Sequence, residues 1–415
     1  ELAEKLKEAN KWEHKGLREV QIPKKNGKMR TLKIPTIADR AWQCLVKYAL
    51  EPAHEATFHA RSYGFRPGRS THDAQRYVFT HLQGNKNSLN KRVIELDIEK
   101  CFDRISHRVM MSKVIAPQGI KKGLWRCLKA GVSPEFPEQE TPQDGVIAPL
   151  LANIALNGIE EIHPSLRYAD DMVFFLKPKD NAEKILEKVQ QFLAERGMNI
   201  SAEKTKTTRT TAGFDFLGWH FKVLGNGKYR CVPSEDNYEK FRKKIKAIVN
   251  NPALATAAKA KKLTPIVKGW RNYHRYCRMD GSRFNLWSLN HSTFVKFKKD
   301  KNKGKEEAAR LVQEAFPAVP YSVNGYVMVK GKKSPYDGDL LYWSKRNSKL
   351  YSGETEKALK RQGYKCGQCG LYLDGNEKIH LHHIDGNHDN WKSKNLIAIH
   401  ESCHDYIHMG KSSQS

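Results

Sequence analysis

Alternation of apolar and polar positions marks a small set of strands. Val20 to Pro23 opens one, and Lys24-Lys25-Asn26-Gly27-Lys28-Met29-Arg30 after it predicts a hairpin whose Asn-Gly pair supplies the positive φ of a type I′ turn. From Val93 to Ile98 the alternation places Ile94, Leu96 and Ile98 on one face and Val93, Glu95 and Asp97 on the other, so Asp97 ends a strand away from its apolar face. Leu166 and Tyr168 lead into Asp170-Asp171, and Met172-Val173-Phe174-Phe175-Leu176 leads out as a buried strand. This predicts a hairpin with two adjacent carboxylates at its tip.

Helical spacing fills the intervals. Leu2, Leu6, Ala9 and Trp12 predict a helix over residues 1–16, and a second is expected over Ala38–Leu50. A polar turn at Thr141-Pro142-Gln143-Asp144-Gly145 precedes a hydrophobic helix ending near Gly158. Ala182, Ile185, Leu186, Val189, Phe192 and Leu193 form one stripe, with Asp180 or Asn181 as cap and Gly197 past the end. Three later helices are amphipathic and basic. The first sets Tyr238, Phe241, Ile245, Ile248 and Val249 against Arg242, Lys243, Lys244 and Lys246; the second sets Leu263, Val267, Trp270, Tyr273 and Cys277 against Lys268, Arg271 and Arg275; the third begins near Leu286 and runs past Phe294. Residues 298–350 are basic and show no clear period.

Composition narrows the class. The chain has 415 residues, too many for one compact core, and carries 73 Lys+Arg against 45 Asp+Glu, a formal charge of +28. That excess predicts a polyanionic partner. No run of eighteen apolar residues and no signal-like start is present, so neither membrane insertion nor secretion is expected. The first residue, Glu1, reads as a trimmed or processed start, and bacterial cytoplasm is the expected compartment, with an organelle as the alternative.

Two regions carry candidate chemistry. Adjacent aspartates on a turn repel each other unless a hard divalent cation lies between them and a third carboxylate, and Asp97 is the candidate for that third position. Tyr63-Gly64-Phe65-Arg66-Pro67-Gly68-Arg69-Ser70-Thr71 interleaves Arg66 and Arg69 with glycines, a composition suited to a nucleic-acid backbone. Near the C-terminus, Cys366-Gly367-Gln368-Cys369 and His400-Glu401-Ser402-Cys403 flank the segment from Gly370 to Ile399. Two such pairs form a closed four-ligand set for structural Zn²⁺, whereas the other five of the eight cysteines are scattered singly.

The order of basic finger, Tyr-Gly-Phe-Arg-Pro-Gly-Arg-Ser-Thr loop, Asp97 with Phe102, Thr-Pro-Gln turn and Tyr-Ala-Asp-Asp hairpin resembles the reverse transcriptases encoded by group II introns. The resemblance implies an α+β multidomain fold with right-hand fingers and palm over residues 1–235 and a three-helix basic thumb, or maturase region, over 236–297. A basic DNA-binding region would follow over 298–352, and a small zinc-containing ββα-metal (HNH) endonuclease over 353–415. It implies two Mg²⁺ ions held by Asp97, Ile98, Asp170 and Asp171. Lys24, Arg30 and Gln143 would contact the incoming deoxynucleotide, and Phe102 would exclude a ribose 2′-hydroxyl. Arg66, Arg69, Lys204, Arg242, Lys243, Lys268 and Arg271 would touch intron RNA, target DNA or the hybrid duplex.

Leu381-His382-His383-Ile384-Asp385-Gly386-Asn387, then Asn395 and His404, resembles the HNH motif. It implies His383 as general base, His382 and His404 as ligands of one catalytic divalent ion, and Asn395 as a residue that orients the base-bearing loop or helps the metal site, with Asp385, Asn387, His388 and His408 as candidate auxiliaries. Gln143-Asp144-Gly145 departs from the family's Gln-Gly-Gly by one acid. The implied function is RNA-directed DNA synthesis, assistance to splicing and nicking of target DNA to make the primer. The alternatives are a reverse transcriptase of another retroelement and an RNA-binding splicing cofactor without active sites.

Overall fold

The structure is a computed structural model that describes residues 4, 8–23, 27, 29–83, 86–130, 145–299, 304–323, 325–351 and 353–409. It divides into two compact units, Glu1–His54 with Arg61–Met328, and Glu55–Ala60 with Val329–Ser415.

The larger unit is built on a four-stranded antiparallel sheet in the order β4 (Ser165–Tyr168), β5 (Asp171–Leu176), β3 (Arg92–Leu96), β6 (Lys206–Arg209). β3 is central, pairing Arg92 with Leu176 through Leu96 with Met172 on one side and with β6 on the other. Every residue of β5 from Met172 to Leu176 is buried, as its unbroken apolar run requires. The alternation expected for β3 is only partly kept. Val93 and Ile94 are both at 0% exposure, because the sheet is covered on two faces. One cover is the helix Thr71–Leu82, whose Ala74, Val78 and Leu82 share a core cluster with Val93, Val173 and Phe175. Each of the Val, Leu and Phe side chains contributes roughly 1.5–3 kcal/mol of burial. This helix begins on a Ser70/Asp73 capping box, a signal the sequence carries as Ser-Thr-His-Asp.

Other elements fall close to expectation. β1 (Arg18–Pro23) and β2 (Met29–Ile34) form the basic hairpin, and helices occupy Ile37–Glu55, Ala148–Leu156 and Ala182–Ala194. Asn181 rather than Asp180 caps the last of these, accepting from the Lys184 amide at 3.1 Å. The N-terminal helix is not extended through residue 16. Among the described residues Glu4 is helical and Ala9–Lys11 makes a single 3₁₀ turn, and Trp12 leaves the helical path to donate from Nε1 to Asp39 Oδ1 at 2.9 Å.

A second sheet, β7 (Phe214–Phe216), β8 (Trp219–Val223) and β9 (Tyr229–Pro233), leads to the helices Glu235–Val249, Thr256–Tyr273 and Trp287–Lys298. The predicted apolar positions Tyr238, Phe241, Ile245, Val249, Leu263, Val267 and Trp270 are buried in one cluster. A further helix, Lys305–Ala315, buries Ala308, Leu311, Val312 and Ala315 in that cluster. The basic stretch 298–352 is thus divided, and its first part packs with the preceding helices.

The smaller unit holds helices Leu340–Ser348 and Glu354–Arg361, then the antiparallel pair β10 (Ile379–His383) and β11 (Leu396–His400), then the helix Glu401–Met409. Its core is small: Ala358, Leu359, Cys366, Leu373, Ile379, Ala398 and Ile399. No helix among the described residues is long and apolar enough to cross a membrane.

Candidate active site and metal centres

The β4–β5 hairpin closes with Tyr168 paired to Asp171, leaving Ala169 and Asp170 as a two-residue turn. Ala169 has φ of +59°, a left-handed conformation that disfavours a side chain, so the turn is held by its surroundings. The antiparallel register of β3 and β5 ends at Leu96 with Met172, so the next step sets Asp97 across from Asp171. Asp97 itself is fixed by backbone: its carbonyl accepts from the Ser201 amide at 2.9 Å, and Ile98 bridges Ile200.

The electrostatics of this corner favour a cation. Asp171 keeps a solvent-exposed surface, yet the protein packed around it, followed by the charges of Asp170 and Asp97, pushes its carboxyl up to about 6, with Lys204 opposing. The Lys204 ammonium lies 3.2 Å from both Asp97 oxygens. Three neighbouring carboxylates, with an ammonium drawn to one of them, fit the oxygen-donor chemistry of a hard divalent cation. Their oxygens do not form a closed group within 4.8 Å of one another among the described residues.

The turn rests on a buried arginine. Arg167, 1% exposed, donates from Nε to Glu160 Oε1 at 2.6 Å, from Nη1 to Asn153 Oδ1 at 2.7 Å and to the Ala169 carbonyl at 3.1 Å, and from Nη2 to Ser62 Oγ at 2.8 Å. Asn153 Nδ2 in turn donates to the Gly64 carbonyl at 2.9 Å. Gly64 is needed because a Cβ there would fall 2.3 Å from the Ala169 amide nitrogen. The glycine of the Tyr-Gly-Phe-Arg-Pro-Gly-Arg loop thus serves a close approach, but to the hairpin of its own chain. None of this network was singled out from sequence; the available signal was an arginine embedded in an otherwise buried strand.

The remaining predicted contacts separate by exposure. Arg66 is 4% exposed and donates to the Ser62 carbonyl at 2.8 Å, so it braces the loop. Arg271 bonds the carbonyls of Phe316, Pro317 and Asn285, tying its helix to later segments, so its guanidinium is likewise structural in this state. Arg69 is half-buried, 5.8 Å from the Tyr63 ring centroid. Arg242 pairs with Glu239, while Lys243 and Lys268 are exposed. Phe102 is half-buried in the one-turn helix Cys101–Arg104, just past Asp97. Arg30 lies in β2 opposite Ile22. Lys24, Gln143 and Asp144 lie outside the described residues.

The smaller unit gathers two tight ligand groups. Cys366, Cys369, His400 and Cys403 have donor atoms all within 4.8 Å of one another, with Cys369 Sγ 3.4 Å from His400 Nδ1. This accommodates a tetrahedral S₃N set, whose ligand edges are about 3.8 Å at Zn–S bond lengths. Burial opposes ionisation of Cys366, but the backbone amides of Cys369, Gln368 and His400 outweigh it and hold the thiol at about 7.

The second group is His382, His404 and His408. His382 is on β10, and the other two stand four residues apart on the helix Glu401–Met409, on one helical face. His408, only an auxiliary in the sequence reading, is the third member. His383 points elsewhere: it is 6% exposed, flanked by the rings of His388 and Trp391, and its Nε2 is buried with no hydrogen-bond partner among the described residues. Asn395 accepts from the Asp385 amide at 3.0 Å and donates to Asp385 Oδ1 at 2.8 Å, fixing the loop that follows His383.

Comparison with known proteins accords with this geometry. Residues 22–221 match the family described as reverse transcriptase (RNA-dependent DNA polymerase), and residues 238–311 match the group II intron, maturase-specific domain. Both matches end before Val329, where the C-terminal part of the smaller unit begins. The chain is 35% identical to maturase-like protein 1 of Euglena gracilis over 328 residues, 77% of this chain and 71% of that protein. It is 27% identical to the group II intron-encoded protein LtrA of Lactococcus lactis subsp. cremoris, over 51% of this chain and 47% of that protein. Among solved structures, telomerase from Candida albicans aligns at a TM-score of 0.37 and 10% identity, over 74% of this chain and 62% of that one, so this chain spans less than two thirds of it. With its paired aspartates on the β4–β5 turn and its maturase-specific helices, the chain belongs to the group II intron reverse transcriptase and maturase family.

Proposed function

We propose that the chain is the RNA-directed DNA polymerase of a group II intron, that it binds and assists the splicing of that intron RNA, and that its smaller unit nicks target DNA to supply the primer. The observation that carries the polymerase reading is the register that sets Asp97 across from Asp171 beside Asp170. Asp97, Asp170, Asp171 and the Ile98 carbonyl would hold Mg²⁺. The bound ions would lower the pKa of the primer 3′-hydroxyl and neutralise charge on the transferring phosphoryl group. Phe102 bounds the sugar site and favours deoxynucleotides. Lys204, whose ammonium pairs with Asp97, would be available to nucleic-acid phosphate with Mg²⁺ held by the carboxylates. The exposed cations Lys243 and Lys268 give the helical region its attraction for RNA.

For the smaller unit, the S₃N group would hold structural Zn²⁺ and the three histidines a catalytic divalent ion, which stabilises the departing 3′-oxygen when bound. His383 would take the proton from the attacking water. Asn395 keeps the adjoining loop in place. The test is nicking of supercoiled target DNA by the intron ribonucleoprotein. The parent nicks and His383→Ala does not; equal nicking by both removes His383 from this role.

A further inference from the structure

We infer that Arg167 is a positioning residue for the metal-binding carboxylates, acting through the Ala169 carbonyl; this rests on the polymerase reading above. Arg167 links the backbone of the turn to the segments that carry Ser62, Asn153 and Glu160. One guanidinium nitrogen, Nη1, holds the Ala169 carbonyl and Asn153 together, Nη2 holds Ser62, and Nε pairs with Glu160. All four side chains are at 0–1% exposure. Arg167 also anchors by its main chain, its carbonyl accepting from the Tyr63 amide at 2.9 Å and its amide donating to the Arg61 carbonyl at 3.0 Å.

The turn itself has little independent preference for its shape. Ala169 is left-handed without being glycine, and Asp170 and Asp171 carry like charges next to it. Left alone, such a turn relaxes its φ and separates its carboxylates. Arg167 pins the carbonyl from beneath, and Gly64 closes the other side, with no room for a Cβ against the Ala169 amide. Asp170 therefore projects from a backbone fixed on two sides. A lysine at 167 offers one donor site and cannot span Asn153, Ser62, Glu160 and Ala169 at once.

A buried ion pair also serves folding, so the test removes that part of its role. Arg167→Met alone leaves Glu160 charged and buried and is expected to unfold or weaken the larger unit. The double variant Arg167→Met with Glu160→Leu leaves no uncompensated charge and keeps the volume apolar. Gly64→Ala disturbs the same turn without touching the pair.

In the full chain, the double variant is expected to melt within a few degrees of the parent and to bind a primed RNA template equally. Its kcat for DNA synthesis falls about 100-fold with KM for the deoxynucleotide unchanged. Mn²⁺ affinity at the carboxylates, read by electron paramagnetic resonance without nucleotide, falls about tenfold in the double variant and in Gly64→Ala. Parent-like kcat and Mn²⁺ affinity in the well-folded double variant would overturn the inference. A parent that makes no DNA removes the polymerase reading, and unchanged Mn²⁺ affinity then overturns the positioning role on its own.

Discussion

The palm corner and the smaller unit both assemble metal-ligand side chains, but in opposite ways. Asp97, Asp170 and Asp171 are hard donors on strand ends, not closed upon one another, with Asp171 pushed up to about 6 and Lys204 standing beside Asp97. Cys366, Cys369, His400 and Cys403 are soft donors already within 4.8 Å, beside a core of only a few apolar residues. The difference fits the roles proposed for the two centres. An open, self-repelling set reduces stability in exchange for a place where a cation and substrate meet. A closed sulfur set supplies stability that a small core lacks.

That contrast can be broken most forcefully at the cysteines. Cys366→Ser with Cys369→Ser should unfold the smaller unit, because structural zinc contributes about 10–16 kcal/mol of apparent binding energy to such folds. Limited proteolysis and zinc content read this, and DNA synthesis by the full chain should remain within about twofold of the parent. A protease-resistant smaller unit without zinc would end the structural assignment. Next in size, His408→Ala should reduce nicking by about 100-fold or more while zinc content and DNA synthesis stay at parent levels. Parent-like nicking would return His408 to an auxiliary place.

In the palm, the sign reverses. Asp171→Asn removes like-charge repulsion and should raise the metal-free melting midpoint, an increment of about 1 kcal/mol, while reducing synthesis. A fall in midpoint would mean the carboxylates are not in conflict. The smallest effect belongs to Lys204→Ala. Its ion pair with Asp97 is largely solvent-exposed, so unfolding free energy should change by less than about 1 kcal/mol in a denaturant titration.

How much of this was legible in the sequence follows from which forces were local. The acid-tipped hairpin was readable because an unbroken apolar strand adjoins two aspartates, and the S₃N group because paired ligands sit three residues apart. The helix Thr71–Leu82 was passed over, although its capping box and the spacing of Ala74, Val78 and Leu82 announce it. Lys305–Ala315 was hidden by its charges, since only tertiary packing reveals that Leu311 and Val312 face a core. The carbonyl partners of Arg66 and Arg271 were not legible: a basic residue looks the same in sequence whether it meets a phosphate or a backbone carbonyl. Arg167 was missed for the same reason, because its partners Ser62, Asn153 and Glu160 are distant or unremarked in the chain. His408 could have been promoted by its four-residue spacing from His404 on one helix.

The most direct test of the account is primer extension on an RNA template with Mg²⁺, comparing the parent with Asp170→Asn at matched folding and template affinity. The account predicts deoxynucleotide incorporation by the parent and a loss of about 1,000-fold or more in the variant. Synthesis by Asp170→Asn at the parent rate would contradict it.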